Sequence, residues 1–421
     1  MTLDPVHFEG ITRLAGRIRQ DVDASDHRAF AQEVWADWLD PLRLDGDVVL
    51  EPLDEHRRRM MPVDEAALQP DRFETRHGLD SGTINPTTFK NGVVLDVAQA
   101  AMSAVPSDLD LHRGRTTVMT VHTNDAMADL NGEWTMFDEG YTRGRVLHAP
   151  RVDRYETAVV HDLALFLAES SHALENAEVV SDLLVMDGPV YPKGLLNWAN
   201  REPELRDLLA EDERPRDVIE NYIRLVESFA DRDVPLCGFV KTPITRAITR
   251  TVRRQRGNAP WVNDAAFFSQ VLERRERVDG EDGVEYDRVT DALTFTSWFV
   301  SRGGADYELS TLSDAFGIDR ELPPEAYEVT FCVVYDPRTD VVYRLEAPAV
   351  FTADAEQREA ITMQALKGVA VEKGPPMAVA KADGLAQIGR AETDALREAL
   401  ERAFDTEADT TYDDERWGLL E

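Results

Sequence analysis

The chain has 421 residues, with 80 Asp and Glu against 46 Lys and Arg and a formal charge of -34. An apolar share of 43% supports a packed core and excludes an acidic disordered chain. No apolar run reaches membrane-spanning length, and Met1-Thr2-Leu3-Asp4-Pro5 is no signal peptide, so a cytoplasmic protein is expected.

Residues 5 to 40 read as two helices. Phe8, Ile11, Leu14, Ala15, Ile18 and Val22 recur with a helical period, and Phe30, Val34, Trp35 and Trp38 make a second stripe. Residues 41 to 75 are charged and irregular. A strand is expected to end at Asp80, in His77-Gly78-Leu79-Asp80-Ser81-Gly82, with further strands over 92 to 98 and 115 to 122. A helix over 153 to 176 carries Val159, Leu163, Phe166 and Leu167 on one side and leads into a strand over 182 to 187. A helix near 216 to 230, a strand over 234 to 241 and a basic helix near 243 to 256 follow. The stretch 279 to 287, rich in Gly and acid, reads as an exposed loop, and 292 to 300 as a strand. The turn Asp336-Pro337-Arg338-Thr339-Asp340 joins a hairpin. A helix rich in Ala and Leu runs from about 378 to 404. Strands alternating with helices, with no linker or internal repeat, imply one large α/β domain with helical decoration.

The acids give the chemistry. Asp187 closes the apolar run Leu183-Leu184-Val185-Met186 and precedes Gly188-Pro189, as when a buried strand delivers an acid to a sheet edge. A carboxylate there needs a partner, or its charge costs several kcal/mol. Asp80 precedes a polar turn-like run. Glu169 lies on the helix before the Asp187 strand. Glu156 is on the same helix but thirteen residues away, on a different face, so only one of the two serves a shared site. Asp383 lies in the alanine-rich Ala378-Val379-Ala380-Lys381-Ala382-Asp383. Oxygen-only clusters suit hard divalent ions.

At ordinary ionic strength the overall charge argues against nucleic acid. In molar salt the Debye length falls to about 3 Å and the objection lapses. Acids spread over the whole chain and only six lysines read as halophilic adaptation. Residues 234 to 263 hold no acid yet carry Lys241, Arg246, Arg250, Arg253, Arg254 and Arg256, with three of the arginines at i, i+4 and i+7. In so acidic a chain a merely solvated face would favour Glu and Asp, so a phosphate contact is preferred. Cys237 and Cys332 lie in apolar runs and read as buried thiols, with no histidine neighbours for a zinc site. All nine histidines fall at or before His172. There is no Walker A loop, Gly-x-Gly-x-x-Gly or Gly-x-Ser-x-Gly, which removes the main support for a dinucleotide oxidoreductase or a serine hydrolase.

Four pieces stand in a telling order: Asp80 with Ser81-Gly82, the helical Glu169, the run closing on Asp187-Gly188-Pro189, and Cys237-Gly238-Phe239-Val240-Lys241. A late Pro-x-x-x-Ala-x-Ala-Asp helix, Pro376 to Asp383, completes them. This pattern resembles the NurA nuclease family, especially its haloarchaeal members, over about residues 70 to 405. The resemblance implies an RNase H-like mixed sheet flanked by helices over 71–421, with 1–70 as an N-terminal helical extension. It implies a DNA nuclease using Mn²⁺ (or Mg²⁺), acting with a HerA-type hexameric ATPase in end resection at double-strand breaks, and a homodimer. Its action would be 5′–3′ exonucleolytic, single-strand endonucleolytic, or both. Carried over, Asp80, Glu169 and Asp187 would hold metal, and Asp383 would fill a position where some relatives carry His. Ser-Gly after Asp80 departs from the more usual Gly-Ser. Two ions about 4 Å apart would share Asp80 and Asp187, with Lys241 steadying the transition-state charge. A non-catalytic DNA-end adaptor and a phosphoesterase for small substrates are the alternatives.

Overall fold

The computed structural model describes residues 4–409, apart from 22–23, 126, 129, 281–282, 307–308 and 310–316. They form two compact units. The larger comprises Pro62–Lys241, Val300–Cys332 and the chain from Arg344 onward. Its principal elements are β1 (Arg76–Thr83), β2 (Val94–Val105), β3 (Arg115–His122), β4 (Thr135–Phe137), β5 (Thr142–His148), α1 (Glu156–Glu175), β6 (Leu184–Asp187), α2 (Glu213–Asp231), β7 (Leu236–Val240), the part of β8 (Val341–Pro348) from Arg344 on, α3 (Ala355–Glu372), α4 (Met377–Ala386) and α5 (Arg390–Phe404). The strand order is β8-β7-β6-β1-β2-β3-β5-β4. Pairing is parallel at β7/β6, β6/β1 and β3/β5 and antiparallel at the other junctions. This is a mixed α/β sheet flanked by helices.

Both faces of the centre are covered. On one, α1 buries Val159, Val160, Leu163, Ala164, Leu167 and Ala168 against the sheet. On the other, α4 lies with its backbone almost touching β1. A Cβ on Gly82 would stand 2.5 Å from the Ala386 carbonyl oxygen, and one on Gly78 would collide with the Ala378 carbonyl. Ala378, Ala382 and Ala386 recur every four residues along α4 and are all buried, making a side-chain-poor stripe for that contact. Ser103 Oγ on β2 donates to the Ala378 carbonyl at 2.6 Å.

Several elements differ from the expectation. β1 does not stop at Asp80 but continues to Thr83. β2 extends to Val105, because its alanines, weak strand formers, are buried between helices on both faces. The single helix expected over 378 to 404 is α4 and α5, separated at 387 to 389. The helix α3 has no counterpart in the expectation.

The smaller unit comprises Met1–Met61, Thr242–Phe299 and Val333–Tyr343. Its helices Pro5–Asp21 and Ala24–Trp38 match the two expected. On the first, however, Phe8, Ile11 and Leu14 are exposed rather than in a core. Val22 and the Ile18 side chain lie outside the described residues. The second helix packs through Phe30, stacked on Trp261 at 5.3 Å, and Trp35, edge-on to Phe268. The irregular stretch after 41 contains strands Leu42–Leu44, Asp47–Pro52 and Arg58–Pro62, too short and too charged to show a period. The supposed exposed loop is a hairpin of Arg275–Gly280 and Gly283–Arg288; Glu281 and Asp282 lie outside the described residues. The strand read over 292 to 300 is two, Ala292–Thr296 and Phe299–Ser301.

Cys237 and Cys332 are buried and form no disulfide, and burial pushes the Cys237 thiol up to about 12. No helix among the described residues is long and apolar enough to cross a membrane.

The glycine seat under α4 can be tested by unfolding in urea. Gly82→Ala should cost about 1–3 kcal/mol, the usual range for overpacking. Gly384→Ala on the same helix meets nothing within 4 Å, and should be neutral or stabilise by up to ~1 kcal/mol.

Candidate metal centre

The parallel pairing of β1 and β6 sets Gly78 opposite Val185 and Leu79 opposite Met186. One residue further, Asp80 and Asp187 stand level on neighbouring strands. Gly188, at φ 134°, then turns the chain away in a backbone conformation open to glycine. On β1, Gly78, Asp80 and Gly82 alternate onto the α4 face. The same close approach that seats α4 therefore carries Asp383 over Asp80. Oxygens of Asp80, Asp187 and Asp383 all lie within 4.8 Å of one another.

The charges are strained. Burial first, and then the Asp187 carboxylate, push Asp80 up to about 8; Glu169 and Asp383 add to this, and only the Ser81 N–H opposes it. Burial also raises Asp187, against the pull of Lys241. The Lys241 ammonium follows β7 and lies 2.6 Å from Asp187 Oδ2 and 3.3 Å from Asp383 Oδ2. Burial would lower its pKa, but these two carboxylates outweigh that and raise it. Asp383 is the open side of the group, its side chain 55% exposed against 6% for Asp187.

Glu169 is not one of the three. It projects from α1 toward Ser81, which points to the face of β1 opposite Asp80. Its oxygens accept from Ser81 Oγ at 3.0 Å and from Tyr222 Oη of α2 at 2.6 Å. Burial raises it to about 7 despite those two hydroxyls, with the Asp187 charge contributing. Glu156 opens α1, roughly 20 Å back along the axis at 1.5 Å per residue, so Glu169 is the helical acid beside the cluster. The sequence reading missed the supports, Ser81 and Tyr222. Ser81 was visible next to Asp80. Tyr222 looked like any core aromatic of an amphipathic helix.

Three oxygen donors from three separate elements, with one ammonium against three acids, fit a hard divalent cation. In the smaller unit, the basic segment folds as a helix over Ala247–Arg256. Arg246 is its N-cap rather than a member of the helix, because the chain is still irregular through 242 to 246. Arg246, Arg250, Arg253 and Arg254 are exposed, and their guanidinium groups have no partner among the described residues. Arg256 is engaged, with Glu33 at 3.2 Å and stacked over Trp38.

The raised acids have a thermodynamic sign. A carboxyl whose folded pKa exceeds its unfolded value stabilises the fold while protonated, and that contribution is lost as pH rises through the folded value. For Asp80 and Glu169 the loss falls between the ordinary carboxylate range near 4 and about 7 to 8. The metal-free protein should therefore melt lower at pH 9 than at pH 6. Added Mn²⁺ should raise Tm more at pH 9, where it no longer competes with protons. Equal Mn²⁺ shifts at both pH values, by calorimetry, would count against the cluster as a cation site.

A family model, the NurA domain, matches residues 74–388. None of the curated proteins matches the chain. Among solved structures, the NurA nuclease from Sulfolobus solfataricus is 12% identical over 96% of this chain and 98% of its own, with a TM-score of 0.49. A NurA bound to dAMP and manganese is 12% identical over 96% of this chain and 98% of its own, at 0.41. A NurA with manganese is 12% identical over 78% of this chain and 89% of its own, at 0.39. Likeness at this level transfers no residue role. The matched segment does span well over half of the chain and contains Asp80, Glu169, Asp187, Lys241 and Asp383. The chain belongs to the NurA family.

Proposed function

We propose that this protein is a divalent-metal-dependent deoxyribonuclease that hydrolyses phosphodiester bonds at the Asp80–Asp187–Asp383 cluster. One observation carries the reading: acids from β1, β6 and α4 converge within 4.8 Å around a single lysine. A cation bound there, Mn²⁺ or Mg²⁺, supplies Lewis-acid chemistry, drawing charge from a phosphate and acidifying water. Asp80, Asp187 and Asp383 would hold it, Asp383 being the most exposed of the three. Glu169, aimed by Ser81 and Tyr222, is the remaining acid for a second ion. Lys241, beside Asp187 and Asp383, would offer its ammonium to the negative phosphate.

The wider role follows the family. The protein works in resection of DNA double-strand break ends, as a homodimer with a HerA-type hexameric ATPase that feeds it strand, at high intracellular salt. Arg246, Arg250, Arg253 and Arg254 hold DNA phosphates. Their guanidinium groups, free among the described residues of so acidic a chain, support that reading.

End-labelled DNA incubated with Mn²⁺ in high salt, with and without the ATPase, tests the activity and gives its polarity. Asp187→Ala should lower the rate roughly a hundredfold or more, with an unchanged circular dichroism spectrum. Wild-type rates in that variant would remove Asp187 from the site. DNA binding without any cleavage would favour the end-adaptor reading.

The arginines make a separate prediction. Replacing Arg246, Arg250 and Arg253 together by Gln should weaken binding to all DNA sequences alike. It should also flatten the log–log salt dependence by roughly 0.7 to 0.9 for each phosphate no longer neutralised. An unchanged slope would take this helix out of the DNA path.

A further inference from the structure

Beyond Asp80 on the same strand lies a polar cluster that the metal centre does not use. Asp96, on β2, is fully buried. It accepts from Thr83 Oγ1 at 3.0 Å on each oxygen and from the Val97 N–H at 2.8 Å. Thr83 Oγ1 is itself fixed by the Asn85 N–H at 2.7 Å. His161, on α1, places Nδ1 2.9 Å from Asp96 Oδ2 while its side chain is 32% exposed.

Nδ1 is the ring atom facing Asp96 and, as the donor of that contact, carries the shared proton. Nε2 is on the other side of the ring, away from the buried acid. The histidine is not needed to satisfy Asp96, which already has Thr83 and a backbone N–H. Nor is it needed to seat α1, which is anchored by Val159, Val160 and Leu163. The neighbouring acid, Asp162, is turned aside to the Trp198 indole N–H at 2.8 Å.

The position is informative. Thr83 is three residues past Asp80, about 10 Å along a strand. His161 is eight residues before Glu169, about 12 Å along a helix. Ser81 and Thr83 alternate onto the face that α1 covers, so Glu169 and His161 meet one strip of the sheet.

We propose that His161, oriented by Asp96 and Thr83, contacts a backbone phosphate of the DNA strand within about three nucleotides of the scissile bond, taking one phosphate per roughly 3.4 Å of strand. This rests on the nuclease reading above. The carboxylate behind the ring also raises the pKa of His161, its hydrogen bond outweighing burial, so the ring holds a second proton for the phosphate to higher pH. In a chain with 80 acids, a histidine backed by a buried aspartate is a cation that carries its own counter-charge out of the substrate's way.

The test is a set of single-stranded oligonucleotides, each with one phosphate near the cut replaced by an uncharged methylphosphonate. With wild type, one such linkage, apart from the scissile one, should raise KM roughly tenfold, the scale of one charge-assisted hydrogen bond. His161→Gln should raise KM for the unmodified strand by a similar factor while changing kcat far less, and should abolish the penalty at that linkage only. Thr83→Val, which leaves the ring in place, should give a smaller KM rise at the same linkage. The same methylphosphonate profile in wild type and His161→Gln overturns the proposal, as does a KM that does not move. If His161→Gln does not fold, Thr83→Val decides by the same profile. Failure of the nuclease reading is distinct: wild type then cuts no unmodified strand at all.

Discussion

Carboxylates confined to a few ångströms of low-dielectric space cannot all keep their charge, and they cannot hold themselves together. The structure therefore has to deliver Asp80, Asp187 and Asp383 through elements stabilised by other means. β1 and β6 are locked by parallel backbone pairing, and α4 by its alanine stripe on glycine. Lys241 offsets one charge, and Ser81 and Tyr222 occupy Glu169. A contrasting group lies elsewhere in the same unit. Lys193 sits 2.6 Å from Asp306 and 2.5 Å from Glu346, and Arg344 sits 2.7 Å from Asp306. There two bases meet two acids, and despite burial Asp306 is held well below the usual carboxylate range by Lys193 and Arg344. That network is electrically complete, whereas the aspartate trio has one ammonium for three acids.

The sequence showed these acids unequally. Asp187 was legible because an apolar run followed by Gly-Pro leaves few other structures for a strand-end acid. Asp80 was legible by its order relative to Asp187, but not by its strand, which runs past it. The choice between Glu169 and Glu156 was out of reach, because helical period says which face a residue shares and not which end of the helix abuts β1. Alanines hid the length of β2, since strand propensity is measured on half-buried surfaces and this strand is covered on both sides. The Asp96–His161 pair was invisible for a related reason: its partners are far apart in sequence, and no local spacing links them.

The division of the chain was equally hard to see. The smaller unit is assembled from three separated segments. No run rich in Ser, Gly and Pro marks the joins. What is local in sequence there, the two N-terminal helices and the arginine helix, was the part that could be read.

The seat of α4 on β1 has a consequence for how such a site drifts or is copied. Asp383 owes its place to what Gly78 and Gly82 lack, and to the small methyl groups of Ala378, Ala382 and Ala386. The specification of the metal centre is thus written partly in atoms that are missing. A lineage could keep every acid and still lose the site through one added methyl under the helix. A designer grafting the trio onto another sheet would have to transplant the bare backbone along with the aspartates.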